Sequence, residues 1–114
     1  MKISEVCELL SARVICGAKH NDKEVYRGYS SDLMSDVLTL DTDHLLLITG
    51  MCNLQTIRTA EMADIRFIAF VRNKKATTEM LELALEHGIC VLESPFTLFK
   101  ASGLLFMAGL KPVY

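Results

Sequence analysis

HLLLITG, residues 44–50, is a continuous apolar run closed by a glycine, and it decides the fold class of this chain. A strand without polar alternation fits a sheet that is covered on both faces, as parallel sheets are. Two similar runs follow at residues 67–71 and 89–92, each after a helical segment. Strand and helix alternate from Val25 onward, so we predict a mainly parallel sheet of about five strands, flanked by helices in a three-layer α/β sandwich.

Apolar spacing and capping residues set the expected order of the other elements. We predict a first helix over residues 3–12, a strand over 13–16 and a second strand over 24–29. Four further helices are expected from their N-terminal signals. These signals are Ser30, Ser31 and Asp32 before residues 33–38, Asn53 before a helix to 62, Thr77 before a helix to 87, and Ser94-Pro95 before the last helix.

Length and composition fit one domain over residues 1–114. The net charge is −2, and the acidic and basic residues are scattered along the chain. This argues against non-specific nucleic-acid binding, which requires a clustered basic face. Residues 1–5 do not resemble a signal peptide, and no apolar stretch is long enough to span a bilayer. The four cysteines show neither metal-site nor Cys-x-x-Cys spacing. We therefore expect a cytoplasmic protein with reduced thiols, and no membrane contact.

The expected binding residues follow the strands, because ligands of open α/β sheets lie beyond the carboxyl ends of the strands. Segments 28–32, 50–53, 72–75 and 93–95 take this position, and they would converge on one edge if the strands are parallel. Helix N-termini and basic side chains there suit a phosphate-bearing ligand. The candidate ligand-binding residues are Ser30, Ser31, Asp32, Gly50, Asn53, Arg72, Lys74, Lys75 and Ser94. Capping of their own helices would explain the hydroxyl and amide side chains equally well.

Sequence motifs of the common enzyme classes are absent: there is no phosphate loop, dinucleotide fingerprint, zinc-protease helix or nucleophile elbow. His20, His44 and His87 fall in a polar turn, at the start of a buried strand and at a helix C-terminus. Cys52 is a candidate nucleophile, because a helix N-terminus next to it would lower the thiol pKa. A half-buried turn thiol is the alternative. We predict no catalytic residue, no metal site and no cofactor.

Several stretches carry a resemblance to a known family: SEVCELL at 4–10, RVICG at 13–17, GYSSDLMSDV at 28–37, the strand at 45–49 and GICVLESPFTLF at 88–99. Together they resemble a stand-alone DRTGG domain and are similar to the N-terminal domain of HPr kinase/phosphorylase. The resemblance spans almost the whole chain. The Asp-Arg and Thr-Gly-Gly residues that name the family are absent, since the corresponding regions read MCNLQ at 51–55 and FVRNK at 70–74.

The resemblance implies a non-catalytic regulatory or protein-interaction module, because DRTGG domains accompany nucleotide-sensing CBS domains and occur beside iron-hydrogenase and sensor-kinase genes. It further implies an association with a hydrogenase or redox system, and a homodimer. The last helix has more apolar residues than one face needs, which also favours a protein partner or a dimer. The alternative is an adenine-nucleotide sensor that uses the strand-end segments. A small enzyme that uses Cys52 or a histidine is the third hypothesis.

Overall fold

The computed structural model describes all residues from Met1 to Tyr114, as one six-stranded sheet between two layers of helices. The strands are β1 (Arg13–Cys16), β2 (Arg27–Ser30), β3 (Leu45–Thr49), β4 (Phe67–Phe70), β5 (Cys90–Glu93) and β6 (Lys111–Pro112). The helices are α1 (Ile3–Leu10), α2 (Met34–Val37), α3 (Leu54–Met62), α4 (Thr78–Glu86) and α5 (Leu98–Met107), and a 3-10 turn covers Ala18–His20. None of these helices has both the length and the apolar character needed to cross a membrane.

The sheet follows the strand order β1-β5-β4-β3-β2-β6. Strands β2, β3, β4 and β5 are parallel neighbours, and β6 lies parallel to β2. Only β1 is antiparallel, and it pairs with β5 at the opposite edge. The predicted mainly parallel sheet is confirmed. It has six strands instead of about five because two residues after α5 form the short edge strand β6.

Strand β3 is buried along its whole length, as its apolar sequence predicts. Successive side chains of a strand point to opposite faces of the sheet. Leu46 and Ile48 pack in the core that the sheet shares with α1 and α5. Leu45 and Leu47 pack in the second core, which includes residues of α2, α3 and α4. The predicted three-layer sandwich is therefore confirmed.

The predicted helix starts at Asn53 and Thr77 are confirmed. The Asn53 side chain accepts a hydrogen bond from the backbone N–H of Thr56 at 3.0 Å. The Thr77 hydroxyl accepts one from the N–H of Met80 at 3.2 Å. Each cap satisfies an amide that has no partner inside its helix.

The predicted start of the last helix at Ser94-Pro95 is wrong. Helix α5 begins at Leu98, and the Thr97 hydroxyl caps it by accepting from the N–H of Lys100 at 3.2 Å. Ser94 does not cap a helix, because its hydroxyl donates to the backbone carbonyl of Leu10 at 2.7 Å. A tertiary contact thus overrides a local capping signal.

The predicted caps of α2 are also wrong. This helix is a single turn whose N-cap position is Leu33, which has no side-chain cap. The Ser31 hydroxyl accepts from the N–H of Leu33 at 3.0 Å, before the helix begins. Two other boundaries differ: α1 ends at Leu10 instead of residue 12, and β2 begins at Arg27 instead of residue 24.

Candidate functional site

Four strand ends meet at one edge of the sheet, which we call the carboxyl edge. Because β2, β3, β4 and β5 are parallel neighbours, the segments after Ser30, Thr49, Phe70 and Glu93 lie side by side. The predicted convergence of segments 28–32, 50–53, 72–75 and 93–95 is confirmed. This edge is where ligands of open α/β sheets bind.

Asp32 joins the ends of β2 and β3. One of its carboxylate oxygens accepts from the Thr49 hydroxyl at 2.9 Å and from the Gly50 backbone N–H at 2.7 Å. The Thr49 hydroxyl in turn accepts from the Met51 N–H at 3.1 Å. Because Thr49 is fully buried, Asp32 supplies the only acceptor for its hydroxyl proton. The carboxylate therefore fixes the geometry of the edge.

Replacing Asp32 with alanine is expected to lower the free energy of unfolding by about 1–2 kcal/mol, because Thr49 and Gly50 each lose an acceptor. The check is urea unfolding of Asp32→Ala, Thr49→Val and the double variant. We expect the double variant to lose about 1 kcal/mol less than the sum of the single losses, since the two residues share one bond. Additive losses would show that the bond contributes nothing.

Arg72 and Asn73 form a left-handed turn after β4. Their φ angles are +63° and +58°, a region that non-glycine residues seldom occupy. The N–H of Arg72 donates to the Phe96 carbonyl at 2.6 Å, and the N–H of Asn73 donates to the Ser94 carbonyl at 3.1 Å. These bonds hold the unusual backbone in place. They also turn both amides toward the protein, so the turn presents side chains, and not N–H groups, to a ligand.

The basic side chains of this turn differ in their surroundings. The Arg72 side chain packs against Gly50. A Cβ added to Gly50 would lie 3.1 Å from the Arg72 Cδ. Arg72 and Lys74 are exposed and form no ion pair, whereas Lys75 lies 3.7 Å from the carboxylate of Glu93. Two of the three predicted basic ligand residues, Arg72 and Lys74, are therefore free to bind an anion.

Glu93 belongs to the candidate site, but the sequence argument placed it only within segment 93–95 and did not name it as a binding residue. It ends β5 and is only 6% exposed. Its carboxylate accepts from the Ala76 N–H at 2.7 Å and pairs with Lys75 and, at 3.9 Å, with Arg13. The side chains of both cations are more than half exposed, so the two ion pairs contribute little. The hydrogen bond from the Ala76 N–H is the stronger contact. The available signal was a charged residue that directly follows an apolar strand.

The remaining candidate side chains already have partners within the chain. Ser94 is buried, and its hydroxyl accepts from the Phe96 N–H besides donating to Leu10. The Asn53 amide oxygen holds the first turn of α3, and Ser31 holds the turn before α2. The Ser30 hydroxyl lies 2.6 Å from that of Ser102 in α5. Capping and turn formation thus account for most of the predicted polar residues.

A groove between α5 and the β2–β6 edge is the second feature that the sequence argument missed, and we call it the α5 groove. It holds about 340 Å³ and begins beside Ser30, at the carboxyl end of β2. From there it runs along α5 to β6. Gly28 and Gly103 line it without side chains, and Ile48, Phe99 and Phe106 supply apolar walls. No local sequence pattern predicts this groove, because its lining residues come from four separate elements.

Cys52 lacks the properties of a nucleophile. Burial raises the pKa of its thiol, the negative charge of Glu93 raises this pKa further, and Lys74 offsets only part of the effect. The hypothesis of a lowered thiol pKa at the start of α3 is therefore wrong. The rings of His20 and His44 lie 3.1 Å from the backbone carbonyl oxygens of Gly17 and Glu24, and the two residues line one cleft away from the carboxyl edge.

We expect iodoacetamide to modify Cys52 no faster than it modifies free cysteine at the same pH, because the raised pKa leaves less reactive thiolate. Mass spectrometry of the labelled peptides over time measures both rates. Cys90 is the internal control: it is fully buried, and burial raises its pKa to about 12, so it should react only after unfolding. Labelling of Cys52 faster than free cysteine would contradict the raised pKa of its thiol.

Comparison with known proteins bears on the fold. No family model and no curated protein matches the chain. Among solved structures, it is similar to a crystal structure of the CBS and DRTGG domains of the regulatory region of Clostridium perfringens pyrophosphatase, complexed with the activator diadenosine tetraphosphate. The TM-score is 0.76 at 16% sequence identity.

The likeness covers 98% of this chain and 48% of that chain, so this protein spans about half the length of that neighbour. At this identity the likeness is one of fold. It confirms the predicted DRTGG-like architecture. The resemblance to the N-terminal domain of HPr kinase/phosphorylase stays a prediction.

Proposed function

We propose that this chain is a non-catalytic regulatory domain that works by contact with another protein surface. The observation that carries the proposal is the likeness of nearly its whole fold to the regulatory region of a pyrophosphatase. Because one fold can host many functions, the proposal also needs a surface on which contact takes place. Helix α5 offers one.

The α5 surface consists of Phe99, Phe106 and Met107, whose side chains are 90%, 66% and 86% exposed. Large apolar side chains grouped on one helix favour a protein interface. The only charged residue of α5 is Lys100, which lies 3.8 Å above the ring of Phe96. The apolar side chains of this surface can pack against those of a second copy of the chain across a two-fold axis. We propose a homodimer formed through this surface.

Substitutions on the α5 surface test the proposed interface. We expect Phe99→Ser combined with Met107→Ser to shift the protein from dimer to monomer in sedimentation velocity runs, because two apolar contacts are lost at once. Leu85→Ser is the matched control, since Leu85 is 67% exposed on α4, on the other face of the sheet. Dissociation of the double variant on α5, together with an intact dimer in Leu85→Ser, supports the interface. Equal effects of both changes would contradict it.

An adenine-nucleotide sensor is the second candidate function. Arg72 and Lys74 are exposed cations at the carboxyl edge that form no ion pair, and the Arg72 side chain passes beside Gly50, three residues before the N-cap of α3. Such a group attracts phosphate. The neighbouring structure is a complex with diadenosine tetraphosphate. This candidate places the phosphates at Arg72 and Lys74, with the other candidate residues of the carboxyl edge around them.

Thermal unfolding with ATP, ADP, AMP and diadenosine tetraphosphate tests the sensor. A ligand at about 100 times its Kd adds about 2.7 kcal/mol and raises the Tm of a domain of this size by several degrees. Arg72→Ala combined with Lys74→Ala should remove that rise, and Lys111→Ala should leave it unchanged. No rise with any nucleotide would reject this candidate.

Two further expectations belong to the proposal. The four cysteines are all free, which suits a reducing compartment, and we keep the cytoplasm as the proposed location. The association with a hydrogenase or redox system stays a prediction from the family resemblance.

A further inference from the structure

Gly103 is the one glycine of this chain that no contact or backbone angle within the chain explains. Of the other five, three have positive φ angles, and at Gly28 and Gly50 a Cβ would crowd a neighbouring side chain. Gly103 lies inside α5, and a Cβ there would meet no atom within 4 Å. Glycine also destabilises a helix relative to alanine. The chain itself therefore gains nothing from a glycine at this position.

An exposed glycine on a helix allows close approach to the helix backbone. Two packed helices lie about 8–10 Å apart, and the side chains at their contact set this distance. Because Gly103 has no side chain, a second helix can approach α5 to the short end of that range. No element of this chain occupies the space, so such a helix comes from another molecule.

Gly103 also lies at the centre of the α5 surface. Successive residues of an α-helix are rotated by about 100°. Relative to Gly103, Phe99 and Phe106 therefore lie about 40° and 60° to one side, and Met107 lies about 40° to the other side. All three side chains are exposed. The surface thus has large apolar side chains on both sides of a central gap.

The charged rim of the α5 surface carries both signs. Lys100 is exposed in the first turn of α5, and Lys111 is exposed beyond the end of this helix, where it lines the α5 groove. On the other side, Glu8 of α1 is exposed beside Ala108, and its carboxylate has no partner within the chain. Opposite charges across an interface favour contact, and a rim of one sign would repel a second copy. A second copy of this chain brings both apolar side chains and charges of both signs.

We propose that Gly103 lies on the two-fold axis of the homodimer, where the α5 helices of two copies cross. In an isologous contact, the residue at the centre of the shared patch faces itself across the axis. The exposed apolar side chains then pack around the crossing. The α5 groove, which Phe99 and Phe106 border, becomes part of the interface. This inference rests on the proposed homodimer and adds the residue at its centre.

A larger side chain at position 103 tests the crossing. Gly103→Leu adds atoms in open space and favours the helix, so the Tm of dilute, monomeric protein should stay equal or rise. The same change should raise the Kd of the dimer by at least about tenfold, because two added side chains meet at the crossing. Gly103→Ala should have an intermediate Kd. Sedimentation equilibrium measures the three values.

Gly103→Cys tests the two-fold axis itself. A disulfide requires Cα atoms about 4–7 Å apart, a distance that residues facing each other at a close helix crossing can reach. We expect mild oxidation to link two chains of Gly103→Cys. Leu85→Cys is the matched control, since Leu85 is 67% exposed on α4, and it should stay unlinked. The unaltered protein controls for the four native thiols.

The results separate this inference from the homodimer on which it rests. A dimer whose Kd is unchanged by Gly103→Leu would overturn the crossing at Gly103 and leave the homodimer in place. Linkage of Gly103→Cys no faster than that of Leu85→Cys, in a protein that is a dimer, would do the same. An unaltered protein that is monomeric at every concentration would overturn both.

Discussion

Replacing Leu47 with alanine is expected to lower the free energy of unfolding by about 2–5 kcal/mol. Leu47 is fully buried in the middle of β3, between β2 and β4. The alanine leaves a cavity in the core that includes residues of α2, α3 and α4, and these elements can collapse into it only in part. A domain has a total stability of about 5–15 kcal/mol, so this one change removes much of it.

Urea unfolding followed by circular dichroism measures this loss. Leu85→Ala is the matched control, because it removes the same atoms from a side chain that is 67% exposed on α4. The control should change the free energy of unfolding by no more than about 0.5 kcal/mol. Similar losses in the two variants would mean that β3 is not covered on both faces.

Replacing Glu93 with alanine should have the second-largest effect, a loss of about 2–3 kcal/mol. The carboxylate is buried at the end of β5 and accepts from the Ala76 N–H at 2.7 Å, which fixes the segment before α4. Its ion-pair partners Lys75 and Arg13 have side chains that are 59% and 72% exposed, so these pairs add little. The loss should therefore come from the missing acceptor and not from the missing charge.

Glu93→Gln separates these two contributions, since its amide oxygen can still accept from Ala76 while the charge is gone. We expect it to cost less than about 1 kcal/mol in the same urea experiment. A glutamine variant as unstable as the alanine variant would assign the effect to charge. Full stability of the alanine variant would show that Glu93 does not hold the carboxyl edge.

Local patterns predicted the parts of this fold that depend on neighbouring residues. The run at 44–50 identified a doubly covered strand, and Asn53 and Thr77 identified two helix starts, because burial pattern and capping are visible within one segment. The order of strands and helices then placed four loops at one edge, since parallel strands end together.

Contacts between distant segments account for the failures. Ser94 carries a capping signal, but its partner is the Leu10 carbonyl, 84 residues away in the chain. Asp32 bonds to the end of β3 instead of capping α2. The α5 groove is likewise invisible in sequence, because it exists only where β2, β3, β6 and α5 meet.

Sedimentation equilibrium of the unaltered protein at tens of micromolar tests most directly the central claim, that this chain works by protein contact through the α5 surface. The account predicts twice the chain mass of 12.7 kDa, falling toward 12.7 kDa on dilution. A mass of 12.7 kDa at every concentration would contradict it.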